Sequence, residues 1–219
     1  MLNVLTVPGH GGEWSSGCFT GLSVACGPLV AMVSKVDGVR SLDALRELVH
    51  SGAEPEYQLF YGHTPLKSGR VNAACLSQWW QAPFVAGGER YPTAEHYMMA
   101  SKAELFGDHE AAVNIRQAPD PKTAKILGRE VSGFDAEVWE RHRFDIVIDG
   151  NLEKFRQHAE EREFLLATGD KVIVEASRMD LVWGSGLARE DKNATRPDYW
   201  RGQNLLGFAL MEVREQLRG

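Results

Sequence analysis

The stretch ERYPTAEHYMMASKAELF, residues 89–106, decides the architecture. ERYPT, residues 89–93, reads as a short strand that runs into a helix, with Thr93 as its N-cap just after Pro92. Within that helix, positions 95, 99 and 102 fall on one face. Glu95 and Lys102 therefore border one cleft, with Met99 as its floor. The free N–H groups of the first turn suit an anion such as a phosphate. The same spacing also describes an ordinary solvated Glu–Lys face.

Working outward from this segment, most of the chain reads as helix. SLDALRELVH has Ser41 as N-cap, an apolar face of Leu42, Leu45 and Val49, and Gly52 as its stop. A linker containing Pro55 leads to YQLFYGH, residues 57–63, a short strand. Downstream, DHEAAVNIRQ and PKTAKILGREV are helices separated by Pro119 and Pro121. FDAEVWERHRFDIVIDGNLEKFRQH is a long helix with Gly150 as the place for a bend, and EEREFLLATG closes at Gly169. KVIVEAS, from Lys171, is a strand. Residues 180–202 read as loop, and NLLGFALMEVREQLRG as an amphipathic helix with Leu206, Leu210 and Val213 on one face. Residues 1–40 are Gly-rich and carry no helical period.

Composition narrows the function classes. The chain has 219 residues, with 43% hydrophobic and 25% charged, which suits one domain with an extension. A net charge of -6 excludes a general electrostatic grip on nucleic acid or anionic membrane. The basic run of Arg116, Lys122, Lys125, Arg129, Arg141 and Arg143 reads as a solvated helical surface. Cys18, Cys26 and Cys75 offer neither a disulfide framework nor a zinc site, and the seven histidines lack HxxxH or HxH spacing. The expectation is no metal, no cofactor, no signal peptide, no membrane span and a cytoplasmic location.

A second constellation is LVWGSGLARED followed by YWRGQNLLG. Gly184 and Gly186 around Ser185 let backbone approach a ligand closely. Trp183 and Trp200 offer faces for a base or sugar, and Asn204 offers donors and an acceptor for ribose hydroxyls. The GxGxxG dinucleotide fingerprint is missing.

Together these segments resemble the NADAR (YbiA-like) family. The resemblance rests on PTAEHYMMASK with Lys102, LGRE at residues 127–130, Trp139, EKFRQH around Lys154, FLLATG, DLVWGSGL and WRGQNLLGFALMEVREQL. It covers residues 57–219, and leaves residues 1–56 as an extension of unknown role. It implies a mostly α (α+β) fold: a compact helical domain with a few short strands. It also implies N-glycosidase chemistry on a ribose C1–N bond. Two substrate classes belong to such proteins: ADP-ribose linked to guanine of DNA or RNA, and ribosylamine phosphate intermediates of riboflavin biosynthesis. Some relatives carry an acid in the WGxG loop where this chain has Ser185, so Asp191 or Glu190 is the expected second acid.

Glycosidic cleavage needs stabilisation of positive charge at C1 and a proton for the leaving nitrogen. Glu95 is the expected proton shuttle. Lys154 is the expected nucleophile for a Schiff-base route, with Phe155 to help desolvate it. Lys102 is the reserve lysine. The expected substrate contacts are Trp79, His96, Lys102, Arg129, Trp183, Gly184, Ser185, Gly186, Trp200 and Asn204. A non-catalytic ADP-ribose or nucleotide-binding module is the rival reading. It would need the tryptophans and glycine loop but not the Glu95–Lys154 pair.

Overall fold

Five helices begin where a side-chain oxygen can accept a hydrogen bond from the free N–H groups of the first turn. In the computed structural model Ser41 caps α1 (Leu42–His50) and Thr93 caps α2 (Ala94–Leu105). Asp108 caps α3 (His109–Arg116), Asp120 caps α4 (Pro121–Arg129) and Asp135 caps α5 (Ala136–Gln157). Each such cap stabilises its helix by about 1 kcal/mol. Two further helices, α6 (Ala159–Ala167) and α7 (Leu205–Arg218), start without a side-chain cap. The structure describes residue 36 and residues 38–219, all within the unit Val33–Gly219. The expectation for residues 1–40 therefore lies almost wholly outside the described residues, as do Cys18 and Cys26.

Strands are few and short. β1 (Tyr57–Phe60) pairs in parallel with β4 (Val172–Glu175), and the register sets Phe60 opposite Glu175. β2 (Phe84–Ala86) pairs antiparallel with β3 (Glu89–Tyr91). Gly87 and Gly88 make the two-residue turn between them, both at positive φ, 59° and 84°. The sequence reading missed β2, because FVA is too short to show an alternating pattern. It also extended β1 too far: residues 61–70 are exposed loop. The mostly helical fold with small strands is as expected.

The core is one apolar cluster. It includes Leu45 of α1, Phe60, Ile173, Phe155 and the α7 face of Leu206, Leu210 and Val213. Two helices approach so closely that only glycine fits. A Cβ at Gly128 of α4 would overlap the Met99 side chain of α2, and one at Gly150 of α5 would overlap the Tyr97 ring. Gly150 therefore does not bend α5, which is uninterrupted; it makes room for α2. Among the described residues no helix is long and apolar enough to cross a membrane.

Helix propensity and packing make opposite predictions at Gly150. Alanine is favoured over glycine in a helix interior by about 1 kcal/mol. Overpacking against Tyr97 costs about 1–3 kcal/mol or more. Gly150→Ala is expected to lower the denaturant midpoint, whereas an unchanged or raised midpoint would show that α2 and α5 have room to part.

Candidate active site

Two glutamates each keep one carboxylate oxygen out of water, and the charge of Glu95 reaches Glu175. Glu95 sits in the first turn of α2, where Thr93 fixes the helix start and the Glu95 N–H donates to the Gln78 carbonyl at 3.0 Å. It is 2% exposed, and its Oε1 is buried without a hydrogen-bond partner. Burial pushes its carboxyl up to about 7, opposed by the charge of Lys125 and a hydrogen bond from Trp79. Asp180 raises it further and Arg129 lowers it.

Glu175, the last residue of β4, is the second glutamate. Its N–H donates to Asn204 Oδ1 at 3.0 Å, and its carbonyl accepts from the N–H groups of Ser177 and Ser185, both at 2.9 Å. Its backbone is thus held on both sides while Oε2 is buried without a partner. Burial pushes this carboxyl up to about 8, helped by Asp180 and Glu95 and opposed by Lys125. The mutual field of the two carboxylates disfavours ionising both.

The glycine-rich loop packs its backbone against that of Glu175. Gly184 is buried, with room for a Cβ only 3.0 Å from the Glu175 carbonyl oxygen. A Cβ at Gly202 would overlap the Gly184 carbonyl. Ser185 is fully buried and donates to the Glu175 carbonyl from N–H and, at 3.3 Å, from Oγ. Gly186 is in the left-handed region at φ 72°, and its carbonyl is held by the Arg201 guanidinium. Asn204, itself left-handed at φ 54°, uses both ends of its amide on β4: Oδ1 on Glu175 and Nδ2 on the Ile173 carbonyl at 2.9 Å. Fully buried, this amide serves β4 and presents no surface to a ribose hydroxyl. Trp200 is 4% exposed, donates Nε1 to the Ala194 carbonyl and packs edge-on against Tyr57, so it is a core residue. Trp183 is half-buried against the core.

The second acid is not where the sequence suggested. Asp191 accepts from the Asn193 N–H at 2.9 Å, and its charge does not figure among those acting on Glu95 or Glu175. Asp180 acts on both. One of its oxygens accepts from the N–H groups of Val182 and Trp183, which opens the turn into the glycine loop.

The lysines sort differently as well. Lys102 Nζ donates to the Gly128 carbonyl at 2.6 Å and sits 4.1 Å over the Phe134 ring, so it satisfies a carbonyl near the end of α4 instead of facing Glu95. Lys154 is fully buried and donates to the carbonyls of Cys75 at 2.6 Å and Ser77 at 3.1 Å. Burial lowers its ammonium to about 8, while the charges that act on it are those of Cys75 and Glu161, not Glu95. Lys154 and Glu95 meet the same segment, Lys154 Nζ at the Ser77 carbonyl and the Glu95 N–H at the Gln78 carbonyl, but the Lys154 ammonium is spent on carbonyls and not on the Glu95 carboxylate. The cations that act on Glu95 are Lys125 and Arg129, four residues apart on α4. Lys125 is half-buried and leaves the solvated run, while Arg129 is exposed and acts on Glu95 through its charge. Lys122 and Arg141 are exposed, as that reading expected.

Trp79 completes one wall. It is half-buried, lies 5.4 Å from the His63 ring and carries Lys125 Nζ 6.0 Å over its face. His96 is fully buried with both ring nitrogens in use. Nε2 faces the Ala118 carbonyl at 3.1 Å and so carries the proton; Nδ1 meets Thr93 Oγ1 at 2.8 Å. It braces the α2 cap with both nitrogens occupied. Among the described residues no group of three or more His, Cys, Asp or Glu side chains is arranged to hold a metal. The sequence did contain a signal for Glu175: a carboxylate that ends an otherwise apolar strand, VIVE.

Comparison with known proteins adds an independent line. A family model described as the NADAR domain matches residues 59–218. N-glycosidase R617 of Acanthamoeba polyphaga mimivirus is 40% identical over 166 residues, covering 74% of this chain and 96% of the viral protein. N-glycosidase YbiA of Escherichia coli (strain K12) is 36% identical over 135 residues, covering 62% of this chain and 76% of that protein. The NMR structure of E. coli YbiA superposes with a TM-score of 0.60 at 31% identity, covering 76% of this chain and 87% of that one.

The buried carboxylates give stability a definite pH dependence. A carboxyl whose folded pKa is raised from 4.5 to about 8, as at Glu175, keeps its proton longer in the folded chain. Its contribution therefore weakens as pH rises from its unfolded pKa through its folded one. Glu175→Gln removes that penalty. In denaturant unfolding the variant is expected to gain on the wild type between about pH 5 and about pH 9. A difference that stays constant across this range would show that ionising Glu175 carries no cost.

Proposed function

The chain belongs to the NADAR family and is a hydrolase of N-glycosyl bonds, and from that premise we propose that it breaks the C1–N bond of a phosphorylated ribosyl compound with Glu95 and Glu175 as its acid–base pair. The observation that carries this reading is the pair itself. Each carboxylate has a buried oxygen with no hydrogen-bond partner, and each is held in place by its backbone. Such atoms cost stability unless a ligand or water satisfies them.

Glu175, with the higher pKa, holds the proton and gives it to the leaving nitrogen. The C1–N bond breaks, and its electron pair goes to that nitrogen. Glu95, ionised first, takes a proton from the water that attacks C1. The products are a ribose with an anomeric hydroxyl and a free amine. Asp180 adds negative charge beside the positive charge that develops at C1. Lys125 and Arg129 suit the phosphate of the ribosyl part, and the faces of Trp79 and Trp183 suit the sugar. The substrate is ADP-ribose linked to guanine of DNA or RNA, or a ribosylamine phosphate of riboflavin biosynthesis. Both share a phosphorylated ribose and a heteroaromatic amine as leaving group. A phosphorylated substrate is retained inside the cell, and a cytoplasmic site of action goes with it.

This assignment replaces the Schiff-base role of Lys154 with a positioning one. Its ammonium holds the carbonyls of Cys75 and Ser77, next to the segment that carries Gln78 and Trp79. A nucleophile must reach C1, and this amine is fully buried.

Incubation with both substrates, followed by mass spectrometry, tests the reaction. The pH profile of kcat/KM tests the residues. It is expected to rise through about 7 and fall through about 8, with apparent values that belong to the pair. Glu95→Gln should lose on the order of 100-fold or more in rate and the acid limb; Glu175→Gln should lose a similar factor and the alkaline limb. Borohydride added during turnover should trap nothing on Lys154. A trapped adduct there, with normal rates in both glutamine variants, would return the chemistry to the lysine.

A further inference from the structure

Two side-chain amides next to Glu95 fix each other's orientation. Asn151 of α5 is fully buried, and its Nδ2 lies 2.8 Å from the Val147 carbonyl. A carbonyl only accepts, so Asn151 presents its NH2 group there. The same NH2 group meets Gln78 at 2.8 Å. It needs an acceptor, so the Oε1 end of Gln78 faces Asn151 and the Nε2 end is turned away from it. One backbone carbonyl thus dictates which end of the Gln78 amide is free.

Contacts through space place Gln78 at Glu95. The Glu95 N–H donates to the Gln78 carbonyl at 3.0 Å, and the Glu95 carboxylate accepts from the side chain of Trp79. Both ends of Glu95 therefore lie on residues 78 and 79. From the other side α5 clamps the same segment: Asn151 holds the Gln78 side chain, and Lys154 holds the Ser77 carbonyl at 3.1 Å. Gly150, beside Asn151, lies so near the Tyr97 ring that a Cβ would overlap it, so α5 and the start of α2 meet at this point.

The free ends of the two side chains are complementary. Gln78 is 6% exposed, and its Nε2 donates to no group among the described residues, yet it is not one of the polar atoms sealed from solvent. Glu95 Oε1 is an acceptor without a donor. A hydroxylic molecule serves both: its oxygen accepts from Nε2, and its O–H donates to Oε1. Water held in this way keeps a lone pair for C1 and has its proton already at the base.

We propose that Gln78 positions the attacking water through Nε2, and that Asn151 is a positioning residue that acts through Gln78 by turning its amide. The water oxygen bonds to C1 as the C1–N bond breaks, and the electron pair of that bond goes to the leaving nitrogen. The water proton goes to Glu95. Gln78 donates a hydrogen bond throughout and transfers nothing. The proposal rests on the reading of Glu95 as the base.

Steady-state kinetics on the N-ribosyl substrate that the wild type hydrolyses test this, with and without sodium azide. Gln78→Met keeps the length of the side chain and removes the donor. Its kcat is expected to fall about tenfold or more with KM unchanged. Both limbs of its pH profile should remain, because the amide does not titrate. Azide attacks C1 without giving up a proton, so it should restore turnover and yield the ribosyl azide. Asn151→Ala reaches the same point through the other amide. It should show the same kcat loss and the same azide response, and should add no further loss to Gln78→Met. An unchanged kcat in both variants, or a loss that azide does not repair, overturns the water role. So does a loss carried by KM, which would assign the amide to a hydroxyl of the sugar. Glu95→Gln separates this proposal from the reading beneath it. If Glu95→Gln loses its rate and Gln78→Met does not, the water role alone fails. If Glu95→Gln keeps its rate, the base assignment fails and the water role falls with it.

Discussion

A carboxylate oxygen buried without a partner is expensive to maintain, and much of the local structure holds two of them, on Glu95 and Glu175. A carboxylate left to itself would turn to solvent or neutralise. Glu95 cannot turn, because the Thr93 cap, the His96 brace and the Gln78 carbonyl fix the first turn of α2. Glu175 cannot turn, because Asn204 and Ser185 hold its backbone at the end of β4. The glycines of the WGSG loop and Gly202 allow backbone to pass close behind it. What looked in sequence like a ligand-binding loop is the mould that sets an acid.

The elements that could be read in the sequence are those with local causes. Caps at Ser41, Thr93, Asp108, Asp120 and Asp135 and the apolar face of α7 are short-range patterns, and the helices follow them. Glu95 was legible for the same reason: a carboxylate in a capped first turn. Glu175 left a weaker mark, a carboxylate at the end of the apolar run VIVE, because its place is set by the pairing of β4 with β1 and by Asn204, 29 residues downstream. The strand β2 depends on its hairpin partner and on Gln157, whose amide bonds Val85 on both sides, and so leaves little trace in three residues.

Three lysines illustrate the limit of spacing arguments. Lys102 and Lys154 lie in the segments that carry the family resemblance, yet both ammonium groups are tied to backbone carbonyls in the interior. Those bonds join helices: Lys102 links α2 to α4, and Lys154 links α5 to the turn at Ala73–Leu76. Lys125 looked like one charge in a solvated run. It acts on both carboxylates because α4 packs against α2 at Gly128, a contact that no local pattern announces. Recognition of a family and identification of its working residues are therefore separate inferences, and here the second required the packing of helices.

Glu95 and Glu175 titrate as a coupled pair, each with an oxygen shielded from water. The most direct measurement is carbon-detected NMR titration of the side-chain carboxyls, assigned with Glu95→Gln and Glu175→Gln. Two resonances are expected, titrating near 7 and near 8: that of Glu175 shifts downward in Glu95→Gln, whereas that of Glu95, which ionises beside a still protonated Glu175, stays near 7 in Glu175→Gln. Two independent titrations near the ordinary value of 4.5 would contradict it.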